Sequence, residues 1–112
     1  AALVDGTIYK GCNVENASYG GTICAERSAI VSGVAAGARS IELVAITTDN
    51  RNRPSLADRS PCGLCRQFIA EFAHPAIPIL LDRGDHENGR LIADVLPFGD
   101  LFPLAFRLEA EE

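Results

Sequence analysis

Two short segments carry residue types that can hold a metal ion and use it. The first is Cys24-Ala25-Glu26-Arg27, and the second is Pro61-Cys62-Gly63-Leu64-Cys65. Cysteines three positions apart in a helical turn point the same way, so Cys62 and Cys65 can bind one tetrahedral zinc ion. Taken alone, a C-x-x-C pair is also found in redox sites and in structural zinc sites.

The first segment, Cys24-Ala25-Glu26-Arg27, favours a catalytic zinc site over a redox site or a structural zinc site. Residues two apart in the middle of a helix face roughly opposite directions, but at a helix start a metal can lie ahead of the helix end. Cys24 can then bind the metal while Glu26 reaches the space beside it. Three protein ligands with an open fourth position are typical of catalytic zinc, whereas structural sites have four. The sequence therefore predicts zinc held by Cys24, Cys62 and Cys65, with Glu26 as the acid–base group.

Hydrophobic patterning and turn residues predict the elements that position these side chains. Asp5-Gly6 predicts a hairpin whose second strand continues through Cys12 and Val14, and residues 16–22 read as a loop. After them we expect, in order, a helix over 24–36 ending before Gly37, a strand over 41–48, a polar loop over 49–60, a helix over 62–73, a strand over 77–82, a polar turn over 84–89, and a short strand with a Phe-rich tail to 106.

This alternation predicts an α/β fold, a three-layer sandwich of a mixed sheet flanked by helices, with residues 1–112 as a single domain. The chain has 10 basic and 15 acidic residues, a net charge of −5, and it lacks a basic cluster. This charge argues against a nucleic acid polymer as partner. No apolar run approaches the roughly 20 residues of a membrane span. Without a signal peptide, we expect a cytoplasmic protein whose cysteines serve metal binding or catalysis.

Together the segments resemble the zinc-dependent cytidine deaminases, in particular the small homotetrameric type with three cysteine ligands. Residues 24–27 match that family's Cys-Ala-Glu-Arg, and residues 61–67 match its Pro-Cys-Gly-x-Cys-Arg-Gln. Residues 11–19, Gly-Cys-Asn-Val-Glu-Asn-Ala-Ser-Tyr, resemble its substrate segment. The resemblance extends from residue 1 to about residue 98. The family's N-terminal helix, and its Tyr/Phe-containing stretch before the first strand, have no counterpart in this sequence.

The resemblance implies hydrolytic deamination of cytidine or deoxycytidine to uridine or deoxyuridine and ammonia. Zinc-bound hydroxide would attack C4 of the base, with Glu26 as proton shuttle. Three thiolates give the zinc centre a net negative charge, and Arg27 is expected to offset it by hydrogen bonding to sulfur. A homotetramer in cytoplasmic pyrimidine salvage is also implied.

The resemblance also implies a substrate-binding set. Asn13 and Glu15 alternate along a strand and share a face, which would bind the ribose hydroxyls. Tyr19 would reach a neighbouring subunit's sugar, and Ala25 completes the set. Either Phe98 or Phe102, in the tail, would cover the base.

Other interpretations remain open from the sequence. A structural zinc module closed by Cys12, His74 or His86 would mediate protein contacts instead of catalysis. Cys12 itself is expected to be a small buried hydrophobic residue. The substrate could be another small nucleoside or a free base. Arg66 and Gln67 are expected on a helix surface or at a subunit contact.

Overall fold

Strands and helices alternate along the chain in the computed structural model, which describes residues 1–47, 56–87 and 90–107. The elements are β1 (Ala2–Val4), β2 (Thr7–Tyr9), a 3-10 turn (Tyr19–Gly21), α1 (Ala25–Ala35), β3 (Ile41–Ile46), α2 (Leu56–Arg59), α3 (Gly63–Phe72), β4 (Pro78–Glu87), β5 (Arg90–Pro97) and α4 (Phe98–Leu101). Within these ranges, no helix combines the length and apolar character needed to cross a bilayer.

The five strands form one mixed sheet in the order β2-β1-β3-β4-β5. β1 pairs antiparallel with β2 and β3, and β4 pairs antiparallel with β5. β3 and β4 are parallel, so the chain must cross over between them, and this crossover carries α2 and α3. The predicted α/β architecture, a mixed sheet with helices, is therefore confirmed.

The predicted hairpin turn joins β1 to β2. Asp5 and Gly6 both have positive φ, 48° and 81°, as the central pair of a type I′ turn requires. The Asp5 carboxylate also accepts the backbone N–H groups of Arg39 and Ser40, at 2.9 and 3.2 Å. The turn thereby ties the hairpin to the segment that enters β3.

One hydrophobic core holds α1 and α3 against the sheet. α1 contacts α3 and the first three strands. Apolar side chains of the strands and of both helices are fully or almost fully buried there: Val4, Ile30, Ile41, Val44, Ile69, Ile79, Leu81 and Phe98. Burying a side chain of this size contributes about 1.5–3 kcal/mol, so this packing fixes the two helices relative to each other.

The second strand ends earlier than the sequence predicts. β2 stops at Tyr9, and beyond it residues 10–14 contribute a single isolated bridge, between Val14 and Ile23. The reason is that Gly11 packs its backbone directly on α1, which leaves this segment without a strand partner. The prediction of a strand through Cys12 and Val14 was wrong.

The hairpin of β4 and β5 is longer than predicted. β4 continues past Asp82 to Glu87, with an irregularity between Asp82 and His86, and Glu87 pairs with Arg90. Mutual pairing of the backbones sustains these strands, although their residues are polar. The predicted turn over 84–89 is therefore too long; residues 88 and 89 lie outside the described part. Pro78 is the first residue of β4, where its missing N–H is tolerated.

The predicted polar loop over 49–60 contains a short helix, α2, at Leu56–Arg59. The remainder of that prediction, residues 49–55, lies outside the described residues. Arg59 is buried and donates to the carbonyl of Asp82 at 3.2 Å. Its Nη1 also lies 2.9 Å from Asp94 Oδ2. Among the described residues that oxygen has no hydrogen-bond partner, so Arg59 and Asp94 interact as an ion pair.

Candidate metal centre and active site

Cys24 and Cys62 occupy equivalent positions at the starts of α1 and α3. Each is the N-cap residue of its helix, with an extended backbone at ψ 155° and 168°. Neither sulfur makes a capping hydrogen bond. The predicted arrangement, in which a metal lies ahead of two helix ends, therefore corresponds to two cap positions whose sulfurs are available for another partner.

Three sulfurs converge at these helix starts. The Sγ atoms of Cys24, Cys62 and Cys65 all lie within 4.8 Å of one another, and those of Cys24 and Cys62 are 3.9 Å apart. Two sulfurs on one tetrahedral zinc at ~2.3 Å would be about 3.8 Å apart. The spacing and the thiol chemistry of this sulfur cluster (Cys24, Cys62 and Cys65) thus fit zinc. Cys65 is fully buried, whereas Cys62 is exposed.

Two of the three residues considered as a fourth ligand, Cys12 and His74, are not in this cluster. Among the described side chains, the group that could hold a metal consists of the three cysteines alone. Cys12 is exposed, so the prediction of a buried hydrophobic residue was wrong; its backbone N–H donates to Ser28 Oγ at 3.0 Å. His74 follows the far end of α3, where its Nδ1 accepts the N–H of Ala76 at 3.0 Å. The side chain of His86 lies outside the described part.

Glu26 faces the sulfur cluster from the first turn of α1. The pKa of the Cys65 thiol is raised, first by burial, then by hydrogen bonds with Cys24, Cys62 and Glu26, and by the charge of Glu26. The carboxylate of Glu26 therefore lies close enough to Cys65 to affect its pKa. The assignment of Glu26 as the acid–base group stays a prediction.

The start of α3 favours ionisation of the Cys62 thiol. Burial raises its pKa, but the backbone N–H of Cys65, the thiols of Cys65 and Cys24, and the backbone N–H of Leu64 outweigh burial and lower it. These N–H groups do not meet the geometry of a capping bond, so their effect is that of the positive end of the α3 dipole. The helix start therefore favours the thiolate that zinc binding requires.

Arg27 lies next to the sulfurs, as predicted. Burial lowers the pKa of its guanidinium, but hydrogen bonds and charge interactions with Cys24 and Cys65 outweigh burial and raise it. One nitrogen donates to the carbonyl of Thr22 at 2.9 Å. Its Nε is buried and has no hydrogen-bond partner within the described structure. This N–H lies beside the sulfurs and is available to donate to a cysteine sulfur when the thiols become thiolates.

Two of the predicted substrate residues bind each other. Asn13 Oδ1 accepts the backbone N–H of Ala25 at 2.8 Å, which fixes Asn13 against the first turn of α1. Glu15 and Tyr19 lie on the exposed part of the same segment, and Tyr19 exposes 91% of its surface on the 3-10 turn. The structure thus brings Asn13 and Ala25 together and leaves Glu15 and Tyr19 facing outward.

The two tail phenylalanines differ in burial. Phe98 is fully buried in the core, and its N–H donates to the carbonyl of Ile77 at 2.9 Å. Such a side chain has no free face for a base. Phe102 is partly buried and packs 6.2 Å from Phe98, so Phe102 is the better candidate of the pair.

Sequence reasoning missed several residues that position the site. Arg66, expected on a surface, is partly buried and donates to the carbonyl of Pro61 at 2.7 Å and to that of Leu101. It joins the turn before Cys62 to the C-terminal segment. Gly11 and Ser28 pack against each other beside Ala25. Gly11, the first residue of the substrate segment, is of a type that permits a close backbone approach. No sequence pattern indicates Ser28 or the partner of Arg66.

The family and the relatives that match this chain are all deaminases. Residues 1–81 match the family described as the cytidine and deoxycytidylate deaminase zinc-binding region. The chain is 45% identical over 101 residues to a cytidine deaminase of Sporosarcina psychrophila, with 87% of this chain and 70% of the relative covered. It is 37% identical over 113 residues to a cytidine deaminase of Halalkalibacterium halodurans, with coverage of 97% and 76%.

Solved structures agree with these sequence matches. The crystal structure of cytidine deaminase from Burkholderia pseudomallei superimposes with a TM-score of 0.73 at 38% identity, covering 95% of this chain and 78% of that one. The cytidine deaminase from Mycobacterium tuberculosis gives a TM-score of 0.63 at 34% identity, covering 96% and 76%.

Proposed function

Because the chain belongs to the cytidine and deoxycytidylate deaminase family, we propose that it hydrolyses the exocyclic amine of cytidine or deoxycytidine. The products are uridine or deoxyuridine and ammonia. The observation that carries this proposal is the convergence of three sulfurs with one carboxylate, that of Glu26, beside them. A structural zinc module closed by Cys12 or His74 is disfavoured, because neither side chain joins the sulfur cluster.

Cys24, Cys62 and Cys65 would hold zinc, which supplies the Lewis acidity that makes water a nucleophile at neutral pH. Glu26 takes a proton from the attacking water and delivers it to N3 of the base. It then passes the second water proton to the leaving amine, so that the C4–N bond breaks, ammonia departs and Glu26 returns to its starting state. One carboxylate performs both transfers because it lies beside the cluster throughout.

Arg27 and the two helix starts supply the positive charge that the cluster needs. Arg27 interacts with Cys24 and Cys65, and hydrogen bonds to thiolate withdraw charge from sulfur. The N-terminal ends of α1 and α3 add the positive ends of their dipoles. Together they offset the excess negative charge of three thiolates.

The substrate segment suits a sugar diol. The Asn13 carbonyl is engaged with the N–H of Ala25, so the amide of Asn13 presents its N–H donors, while the exposed carboxylate of Glu15 accepts. A donor and an acceptor two residues apart in one segment can bind two hydroxyl groups. In this proposal, Ala25 acts on the substrate indirectly, by orienting Asn13.

We extend the proposal to the assembly and its compartment. Tyr19, Leu104 and Phe106 are largely exposed, which supports a homotetramer in which Tyr19 reaches a neighbouring subunit's sugar. The described cysteines are all free thiols, as zinc binding in a reducing cytoplasm requires. Within that compartment the reaction belongs to pyrimidine salvage.

The test is an absorbance assay of cytidine with the zinc-loaded protein and its Glu26→Gln variant. The amide keeps the shape of the carboxylate but cannot carry the proton. We expect deamination by the unmodified protein, and in the variant about one zinc per chain with turnover reduced by roughly 100- to 10,000-fold. An inert unmodified protein, or a variant within tenfold of it, would contradict the proposal.

A further inference from the structure

The start of the substrate segment is pressed against α1 without space for a side chain. A Cβ built on Gly11 would lie 2.3 Å from Ser28 Oγ, and 2.4 Å from both the carbonyl oxygen of Ala25 and the backbone nitrogen of Ala29. These distances are too short for any side chain, so the backbone at residue 11 lies directly on the second half of the first turn of α1.

Ser28 forms a bridge at this contact. Its Oγ accepts the backbone N–H of Cys12 at 3.0 Å and lies 3.3 Å from the Ala25 carbonyl, to which it donates. Its own backbone N–H donates to the carbonyl of Cys24 at 3.0 Å. One residue therefore binds the segment that precedes Asn13 and, through its main chain, the ligand at the start of α1.

We infer that Ser28 is a positioning residue, which sets the distance between residues 11–15 of the substrate segment and the catalytic turn (residues 24–28). The inference rests on the proposed function, because it assigns these two segments to substrate and to chemistry. Asn13 makes the neighbouring contact, to the N–H of Ala25. With both bonds in place, Asn13 and Glu15 are held in register with Glu26.

The contacts at residue 28 require a side chain with a hydroxyl group. The hydroxyl must accept from the N–H of Cys12 and donate to the carbonyl of Ala25 at once. Alanine would leave the N–H of Cys12 without this acceptor. The segment would then be held only by the Asn13 bond and, beyond it, by the Val14–Ile23 bridge, so that residues 11–13 would become less ordered, while the sulfur cluster would keep its ligands.

Ser32 provides a matched control on the same helix. It lies one turn further along, is exposed, and its hydroxyl donates to the carbonyl of Ser28 at 3.0 Å. Ser32→Ala therefore makes the same chemical change in α1 without touching the substrate segment. Ser28→Thr keeps a hydroxyl at position 28 and serves as the conservative replacement.

The experiment measures five quantities in the zinc-loaded wild type and the three variants: zinc stoichiometry, the uridine dissociation constant, KM for cytidine, kcat for cytidine, and hydrogen exchange of the Cys12 amide. For Ser28→Ala we expect unchanged zinc, a KM and a uridine dissociation constant raised roughly three- to tenfold, and a kcat changed less than twofold. The Cys12 amide should exchange faster. Ser32→Ala should match the wild type, and Ser28→Thr should restore binding.

Equal uridine affinity and equal Cys12 exchange in Ser28→Ala and Ser32→Ala would overturn the inference. So would a Ser28→Ala defect confined to kcat or to zinc content. The exchange and zinc measurements do not require turnover. If the wild type neither binds uridine nor deaminates cytidine, the proposed function fails on its own, while faster exchange in Ser28→Ala still establishes the bond between the two segments.

Discussion

The sulfur cluster and the substrate segment adjoin the same turn of α1, but they are built differently. The cluster is assembled from side chains of two helix starts, and one of them, Cys65, is fully buried. The substrate segment is attached to α1 through the backbone of Gly11 and Cys12 and the side chain of Asn13, while the side chains of Val14, Glu15 and Tyr19 are exposed. Under the proposed function, this difference would let one chain complete the metal site, while binding of the nucleoside would depend on how an exposed segment is held.

The first test of this difference between the two regions changes the surroundings of the sulfur cluster and leaves the substrate segment unchanged. Arg27→Ala removes the guanidinium that interacts with Cys24 and Cys65 and leaves the fold intact. Loss of a partner of the metal ligands typically reduces metal affinity or activity by about 10- to 100-fold. We expect a loss of that size in zinc affinity, measured by competition with a chromogenic chelator, or in kcat.

Arg39→Ala is the control for charge. Arg39 donates to the carbonyls of Val34 and Ala38 at the far end of α1, so this variant loses the same charge without affecting the sulfurs. Zinc affinity and kcat that are unchanged in Arg27→Ala, or equal losses in both variants, would remove Arg27 from the mechanism.

The second test changes a side chain of the substrate segment and leaves the sulfur cluster unchanged. Glu15→Ala removes an exposed carboxylate and leaves the sulfur cluster intact. We expect KM for cytidine to rise about tenfold, since a hydrogen bond to a charged acceptor contributes about 1.5 kcal/mol. KM for 1-methylcytosine, which has no sugar, should change much less, and zinc content should stay constant.

Glu71→Ala is the control here, because Glu71 is an exposed carboxylate on the outer face of α3. It should leave both KM values unchanged. A rise of equal size for cytidine and 1-methylcytosine in Glu15→Ala would defeat the assignment of Glu15 to the sugar.

The cluster could be predicted from sequence because its geometry is local. Cys62 and Cys65 share one helical turn, Cys24 and Glu26 share another, and the only long-range requirement is that two helix starts meet. The turn at Asp5-Gly6 was predictable for the same reason. Each of these features depends on the conformation of a few consecutive residues, which residue type and spacing determine.

Features that depend on distant partners were not predictable. The alternation of residues 10–14 suits a strand, yet packing of Gly11 on α1 ends β2 at Tyr9. Arg66 binds the carbonyl of Leu101, 35 positions away. Polar residues at the end of β4 form strand because β5 pairs with them. In each case a contact from elsewhere in the fold outweighs the local preference.

The central claim concerns the number of protein ligands at the metal, and X-ray absorption spectroscopy of the zinc-loaded protein tests it most directly. Our account predicts three sulfur neighbours at about 2.3 Å and one light atom contributed by solvent. In the Cys65→Ala variant, the sulfur count should fall. Four sulfurs, or three sulfurs with an imidazole, in the unmodified protein would show a closed structural site and contradict the account.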